Sequence, residues 1–187
     1  MDLFRSVWYR LVALLVAASV FYTWRMAGPG NPAFAVTVTA WTWVLDPALI
    51  EPAALVPARW CHVPSSERAL HRLLGVPIFA RLLERSGWND LVVRPILKTR
   101  GYKPGTKASL RLRADSARSG GCAHAVCFAI HVVLAFVALF AGYPWSALRV
   151  LLPGVVLHLY PTLLQRSILL RLEPLLDRER AVAMIPG

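Results

Sequence analysis

The stretch CAHAVCFAIHVVLAFVALFA, residues Cys122 to Ala141, runs for twenty positions without a charged side chain. A helix of about 20 apolar residues is long enough to cross the hydrocarbon core of a bilayer, which is roughly 30 Å thick. The stretch therefore predicts a transmembrane helix. The turn GYPW follows at residues 142–145, and a second apolar stretch at residues 146–164 predicts a return across the membrane.

Two further apolar stretches precede this hairpin, at residues 7–26 and 33–50, with the helix-breaking sequence GPGNP between them. The alternative for the first stretch is a cleaved signal peptide, but no small-residue cleavage site follows it, so we expect a retained helix. In the second stretch Asp46-Pro47 closes the apolar run early. We expect either a helix that continues to Ile50 or a tilted or re-entrant segment.

Positive charge is concentrated between Arg59 and Arg118, which holds thirteen of the twenty-one Lys and Arg residues. Four acids share this stretch, so it carries +9 of the formal net charge of +11. Cytoplasmic loops of membrane proteins carry such an excess of cations. The sequence therefore predicts an all-α integral membrane protein with about four spans in two hairpins. A basic cytoplasmic loop (51–121) joins them, and both termini, including a tail (165–187), are cytoplasmic.

Within the basic loop, two short amphipathic helices are predicted. The first begins at Glu67, and the second runs from Ile78 to Arg85 after a Gly-Val-Pro break. Such helices are expected to lie flat at the lipid headgroups. Leu110 and Leu112 alternate with basic residues and suggest a short strand.

The composition excludes several classes of protein. The chain is 57% apolar with a mean hydropathy of +0.51, which is too apolar for a disordered protein or an ordinary soluble domain. Its basic character fits anionic lipid better than nucleic acid, because groove-reading and stacking motifs are absent. Three cysteines form no disulfide pattern. The sequence lacks soluble-enzyme signatures, and the absence of acids from the two clear spans argues against a proton-coupled transporter.

Histidines are the candidate chemical groups inside the predicted spans. His124, Cys127 and His131 lie on one face of a helix, and His158 lies near the cytoplasmic end of the fourth span. A neutral imidazole can take a proton from a hydroxyl, while nearby cations such as Arg118 can bind an acyl donor's phosphates. The alternative is that these histidines only hydrogen-bond across packed helices.

Metal or pigment binding is a third interpretation. The two imidazoles of His124 and His131 are too far apart to share one metal on a straight helix, so no metal site is predicted. A single histidine could ligate a haem or a chlorophyll, although no attachment motif supports this.

The sequence LHLYPTLLQR, residues 157–166, followed by Arg171, resembles the C-terminal pattern Asn-x-Tyr-Pro-x-x-Leu-Gln-Arg-Tyr-Asn-Arg-x-Arg of the glycosyl-4,4'-diaponeurosporenoate acyltransferase family. His124 falls on the histidine of that family's Arg-Ala-Glu-x-x-His, and the basic amphipathic segment near Leu73 is also similar. The resemblance covers roughly residues 70–171. It departs from the pattern at Gly121, which replaces the glutamate, at His158, which replaces the asparagine, and at residues 167–169.

The resemblance implies a membrane enzyme that esterifies a fatty acyl group onto a glycosylated carotenoid or a glycolipid, with acyl-CoA or a similar donor as co-substrate and no cofactor. His124 and His158 would be catalytic. Gln165, Arg166, Arg171 and Arg118 would bind substrate. The expected location is the cytoplasmic membrane of a bacterium, and the expected partners are membrane lipids and a lipophilic glycoside.

A hypothesis of a different class remains open. The chain would then be a small non-catalytic membrane subunit that docks a protein partner, a pigment or anionic lipid through its basic amphipathic loop. No nucleic acid is expected in either case.

Overall fold

A computed structural model describes residues 3–57, 61–99, 102 and 106–183. All regular structure in these residues is helical, and they contain no strand. The helices are α1 (Leu3–Ala27), α2 (Pro32–Ala53), α3 (Glu67–Leu73), α4 (Val76–Arg85), α5 (Arg94–Thr99), α6 (Lys107–Phe140), α7 (Pro144–Gly154) and α8 (Tyr160–Ala183). Two π-helical segments, Asn89–Val93 and Val155–Leu159, lead directly into α5 and α8.

Three apolar helical stretches in the described residues are long enough to cross a membrane: Pro32–Ile50, Ala108–Phe140 and Pro144–Arg178. A shorter one, Leu11–Ala27, belongs to α1. The prediction of an all-α integral membrane protein is therefore confirmed. The uncertain second stretch is one unbroken helix that includes Pro47, which membrane helices tolerate where neighbouring groups satisfy the freed carbonyl.

The chain forms two compact units, and the first comprises Met1–Pro52 and Cys122–Pro161. Its largest core cluster packs Phe34 and Val38 of α2 against Ala135 and Ala138 of α6 and Val150 of α7. The alanines on α6 present little bulk, so helices can approach closely, as is usual where membrane helices pack. This core fixes the positions of α2, α6 and α7 within the unit.

The second unit comprises Ala53–Gly121 and Thr162–Gly187. Ala114 and Ala117 of α6 pack against Leu169 and Leu170 of α8 in its core. The strand suggested at Leu110 and Leu112 is wrong, because both residues lie in α6. The two alanines are three positions apart, so a helix buries both of them on one face. The packing of that face determines the local structure, despite the alternation of leucine and arginine in the sequence.

The two short helices predicted in the basic loop are confirmed as α3 and α4. Gly75 separates them with φ of +71°, a left-handed conformation that favours glycine. Both helices have exposed apolar side chains, including Leu73 on α3 and Ile78 and Leu82 on α4.

The ring of His131 is fully buried in the first unit and links three helices. Its Nδ1 lies 2.6 Å from the carbonyl oxygen of Val150, and its Nε2 lies 3.0 Å from the Thr42 hydroxyl. A carbonyl can only accept, so Nδ1 carries the proton. The Thr42 hydroxyl has a single hydrogen to share between Nε2 of the ring and the carbonyl oxygen of Thr39, 3.0 Å away. A Cβ added to Gly154 would lie 2.5 Å from Cβ of His131, so α7 and α6 meet where Gly154 has no side chain.

Gly154→Ala is expected to destabilise the protein by about 1–3 kcal/mol, because the added methyl group overpacks a backbone-to-ring contact that cannot yield cheaply. The thermal midpoint of the detergent-purified protein measures the effect. The matched control is Gly120→Ala, also within a helix, where the nearest atom to an added Cβ is 3.7 Å away. Equal midpoints for the two variants would contradict the close contact at Gly154.

Candidate functional site

The site in the first unit depends on a π-helical segment. Between α7 and α8 the backbone of Val155–Leu159 makes a π turn, in which the N–H of Tyr160 bonds to the carbonyl oxygen of Val155. Pro161 has no N–H to continue the α-helical ladder at this point. Segments of this kind occur often at functional sites, and this one carries the buried residue His158.

The imidazoles of His124 on α6 and His158 face each other, with their Nδ1 atoms 3.4 Å apart. Asp46 of α2 completes the group, because its Oδ1 lies 3.0 Å from Nδ1 of His124. The side chain of His158 is almost fully buried, whereas those of His124 and Asp46 retain 22% and 17% of their exposure. We call these three residues the Asp46 cluster. It has one enclosed imidazole and one that a substrate can reach.

The other two polar residues of the predicted α6 face adjoin the Asp46 cluster, where Cys127 is a neighbour of Asp46, and each also contacts groups outside it. His131 makes the two hydrogen bonds described above, and Cys127 lies 3.6 Å from the carbonyl oxygen of Thr42. The ring of His131 also contacts that of His158, with centroids 5.4 Å apart. Cross-helix hydrogen bonding, the alternative considered for all the histidines, therefore describes His131.

An apolar groove of about 770 Å³ runs along α2 in the same unit. Its lining extends from Pro32 to Val44 on α2 and from Arg149 to Leu157 on the facing helix. Val44 is two residues from Asp46 and Leu157 is next to His158. Arg149 is its one charged lining residue. The volume is in the range of pockets that bury small lipophilic molecules, about 300–1,000 Å³.

The predicted substrate-binding residues all belong to the second unit. Two of them, Arg166 and Arg118, are paired with acidic side chains. Arg166 on α8 makes a two-point interaction with Glu67 of α3, in which its Nε donates to Oε2 at 2.8 Å. Arg118 contacts Asp115 and Glu173, at 3.0 and 3.6 Å.

The remaining two predicted residues differ in exposure. Gln165 packs against α6, where its Cβ would lie 3.3 Å from a Cβ added to Gly121. Arg171 is exposed. Gln165 and Arg166 are thus neighbours in one unit, and His124 and His158 are neighbours in the other.

Electrostatics around Arg166 involve His71, a buried histidine that the sequence did not single out. The hydrogen bond from Arg166 lowers the pKa of Glu67. Burial lowers the pKa of His71, whose Nε2 lies 3.6 Å from Glu67. A neutral His71 and a charged Glu67 are therefore the forms that the folded protein favours.

Both shifts predict a loss of stability in acid. Below the ordinary histidine pKa of 6.5 the unfolded chain binds a proton that the folded His71 site disfavours, so stability falls as the pH drops. Below the ordinary glutamate value of 4.5 the unfolded chain also protonates Glu67, and stability falls again. Thermal midpoints of the purified protein between pH 8 and pH 4 should show both decreases.

His71→Gln should remove the decrease that begins near pH 6.5 and leave the one below pH 4.5. The control is His62→Gln, because His62 is exposed and its ring nitrogen pairs with Glu173 at 3.3 Å. Superimposable profiles for the native protein and His71→Gln would show that His71 contributes nothing to the acid response.

Sequence reasoning missed Asp46 because Asp46-Pro47 is typical of a helix end. A carboxylate within an apolar stretch is costly and is a functional candidate by default, so that signal was present in the sequence. Its partnership with His124, 78 positions away along the chain, arises from the packing of α2 against α6.

Comparison with known families identifies a match. The model of the CrtO family, described as glycosyl-4,4'-diaponeurosporenoate acyltransferase, matches residues 57–178. No curated protein and no solved structure matches the chain. The matched range includes His124, His158 and Arg166, while Asp46 lies outside it. The resemblance seen in the sequence is confirmed over well more than half of the 187 residues: the chain belongs to the glycosyl-4,4'-diaponeurosporenoate acyltransferase family.

Proposed function

We propose that this chain is a bacterial membrane acyltransferase that transfers a fatty acyl group from an acyl-CoA or similar donor to a hydroxyl of a glycosylated carotenoid or glycolipid. Family membership supports acyl transfer in a membrane. The observation that carries the assignment of the site is the carboxylate of Asp46, 3.0 Å from Nδ1 of His124.

In this proposal His124 is the general base and Asp46 orients it. A small rotation of the His124 ring directs its Nδ1 hydrogen at the carboxylate oxygen 3.0 Å away, which leaves the lone pair of the neutral ring on Nε2. Nε2 takes the proton of the acceptor hydroxyl as the hydroxyl oxygen attacks the acyl carbonyl carbon. The bond from that carbon to the donor's sulfur or oxygen then breaks, and the proton passes from His124 to the leaving group.

His158 has a supporting role in this mechanism. Its ring centroid lies 5.7 Å from that of His124, on the buried side of the cluster. The neutral His158 ring therefore confines His124 between a carboxylate and a second imidazole. Asp46 also stabilises the positive charge that His124 acquires during proton transfer, as the carboxylate of a catalytic triad does.

The apolar groove is assigned to the hydrocarbon part of the acceptor. Two of its lining residues, Val44 and Leu157, are two residues and one residue away along the chain from Asp46 and His158. The hydrocarbon part of the acceptor would lie among the apolar residues of the groove. Its polar head group would then lie near the cluster.

Arg166 is assigned to the anionic part of the donor. An arginine binds phosphate with two parallel hydrogen bonds, the same geometry that Glu67 now satisfies. The donor must therefore compete with Glu67 for Arg166. The unit that contains Arg166 carries a Lys and Arg excess of the kind that cytoplasmic loops hold.

The non-catalytic alternative has its own observation. Leu73 is 83% exposed on α3, and Ile78 and Leu82 are exposed on the following basic helix. This combination favours binding to an anionic lipid surface. It is compatible with an enzyme that approaches its substrate at the headgroups, so it does not replace the acyltransferase proposal.

Mass analysis of lipid extracts tests the proposed activity. Cells that contain the gene should hold a glycosylated carotenoid or glycolipid one acyl chain heavier than the species in cells from which the gene is deleted. The deletion strain should accumulate the unacylated form. Identical extracts from the two strains would exclude the acyltransferase and favour the non-catalytic subunit.

Variants of the Asp46 cluster test the mechanism in the same extracts and in isolated membranes. His124→Ala should abolish the product, and Asp46→Asn should lower the rate by about 10²–10⁴-fold, because the base loses its orienting carboxylate. Asp46→Glu should restore part of the rate. The control His62→Ala changes an exposed histidine of the other unit and should keep full activity.

Membrane levels of each variant, measured by immunoblot, separate lost chemistry from lost insertion. Full activity of His124→Ala at normal protein level would exclude His124 as the base. Full activity of Asp46→Asn would exclude the orienting role of the carboxylate while leaving acyl transfer itself in place.

A further inference from the structure

We propose that Asp46, His124 and His158 form a binding site for one divalent transition-metal ion with the ligand preferences of zinc. The inference goes beyond the proposed function, because it rests on the positions of three donor atoms and not on acyl transfer. These atoms, one carboxylate oxygen and one nitrogen from each imidazole, all lie within 4.8 Å of one another.

The spacing of the donor atoms fits the coordination shell of zinc. Zinc binds imidazole nitrogen and carboxylate oxygen at about 2.0–2.2 Å, which places neighbouring tetrahedral ligands roughly 3.3–3.5 Å apart. The two Nδ1 atoms are 3.4 Å apart, and Nδ1 of His124 is 3.0 Å from Oδ1 of Asp46. The two pairs that include His124 therefore match this spacing, and the donor atoms of Asp46 and His158, which lie within 4.8 Å of each other, close on the ion by side-chain rotation.

Hydrogen atoms alone satisfy this arrangement poorly. Nδ1 of His124 carries at most one hydrogen, and it faces both the Asp46 oxygen and Nδ1 of His158. The hydrogen bond whose geometry is satisfied runs between the two Nδ1 atoms at 3.4 Å, so the buried Oδ1 of Asp46 receives no hydrogen bond from the described residues. A cation at the centre takes a lone pair from all three atoms at once.

The ligand set favours a borderline transition metal. Two imidazoles and one carboxylate suit zinc and its neighbours, whereas magnesium and calcium prefer oxygen ligands alone. Three protein ligands leave a fourth position open, and the partial exposure of His124 and Asp46 lets water or an anion occupy it. His131 is excluded as a ligand, since Val150 and Thr42 already engage both of its ring nitrogens.

The expected effect of the metal on activity rests on the proposed function, in which His124 is the base. A metal on Nδ1 of His124 leaves the ring hydrogen on Nε2, where the base needs its lone pair. The metal and the reactive tautomer are thus mutually exclusive, so zinc should inhibit acyl transfer reversibly.

Metal binding is measured on the full chain, purified in detergent with an affinity tag that contains no histidine and stripped with a chelator. We expect one zinc ion per chain by elemental analysis after dialysis against zinc chloride. Cobalt(II) in its place should give the visible absorption of a four-coordinate site. Absence of stoichiometric zinc from the native chain, or octahedral cobalt spectra only, would overturn the proposal.

Variants locate the ion. His158→Asn and Asp46→Asn should each lose stoichiometric zinc and the cobalt spectrum, whereas His62→Gln and His71→Gln, histidines of the second unit, should keep both. Thermal midpoints without metal identify any variant that fails to fold, and the cobalt spectrum of the native chain tests the site without any variant. Zinc retained by folded His158→Asn and Asp46→Asn would place the metal elsewhere and refute the site.

Acylation assays with and without bound zinc separate the two proposals. Activity of the stripped enzyme that zinc suppresses and a chelator restores supports both the site and its inhibitory consequence. Full activity with one zinc bound would overturn the competition at His124. A chain that binds zinc but never acylates would leave the metal site standing and refute the proposed function.

Discussion

Polar side chains buried among membrane-spanning helices must satisfy one another, because no water is present to do so. In the first unit this constraint sorts the histidines into two kinds. His131 has a carbonyl on one ring nitrogen and a hydroxyl on the other, and its place is stabilised by close contact with Gly154. In the Asp46 cluster, three donor atoms instead lie close together, and one hydrogen atom cannot form hydrogen bonds to all of them.

The difference between these histidines decides where chemistry is plausible. A ring with both nitrogens occupied by fixed neighbours cannot exchange a proton with a substrate without breaking the packing of α2, α6 and α7. His124 has one nitrogen held by a carboxylate and keeps part of its surface exposed. Its Nδ1 can therefore hold either a proton or a metal ion. With a proton on Nδ1, Nε2 has a free lone pair; with a metal ion on Nδ1, Nε2 carries the hydrogen.

Much of this arrangement could be predicted from sequence, and the failures have physical causes. The apolar stretches and the charge distribution sufficed for the fold class, since length and hydropathy determine which segments can cross a bilayer. The presence of histidines inside predicted spans singled out His124 and His158, and the family pattern also marked His124. The structure adds the π turn beside Pro161, which carries His158. The strand predicted at Leu110 and Leu112 is wrong because the alternation of leucine and arginine carries no information about the burial of Ala114 and Ala117.

Asp46 and Glu67 escaped notice because a partnership between distant residues is a property of packing. Each acid faces a residue that the family resemblance had marked: Asp46 faces His124 within the first unit, and Glu67 faces Arg166 within the second. The family pattern thus identified one member of each pair, and the pairing itself is visible only in the structure.

The departure at Gly121 finds a physical explanation in these pairs. The family pattern has a glutamate at this position, three residues before the histidine, whereas here Gly121 is buried against Gln165. An added Cβ would already lie 3.3 Å from Cβ of Gln165, so a longer side chain would have to displace α8 or Gln165. With that position closed, the carboxylate beside His124 comes from α2, outside residues 57–178 that match the family. His124 therefore has an acidic neighbour 3.0 Å away on α2, although the position of the family's glutamate holds a glycine here.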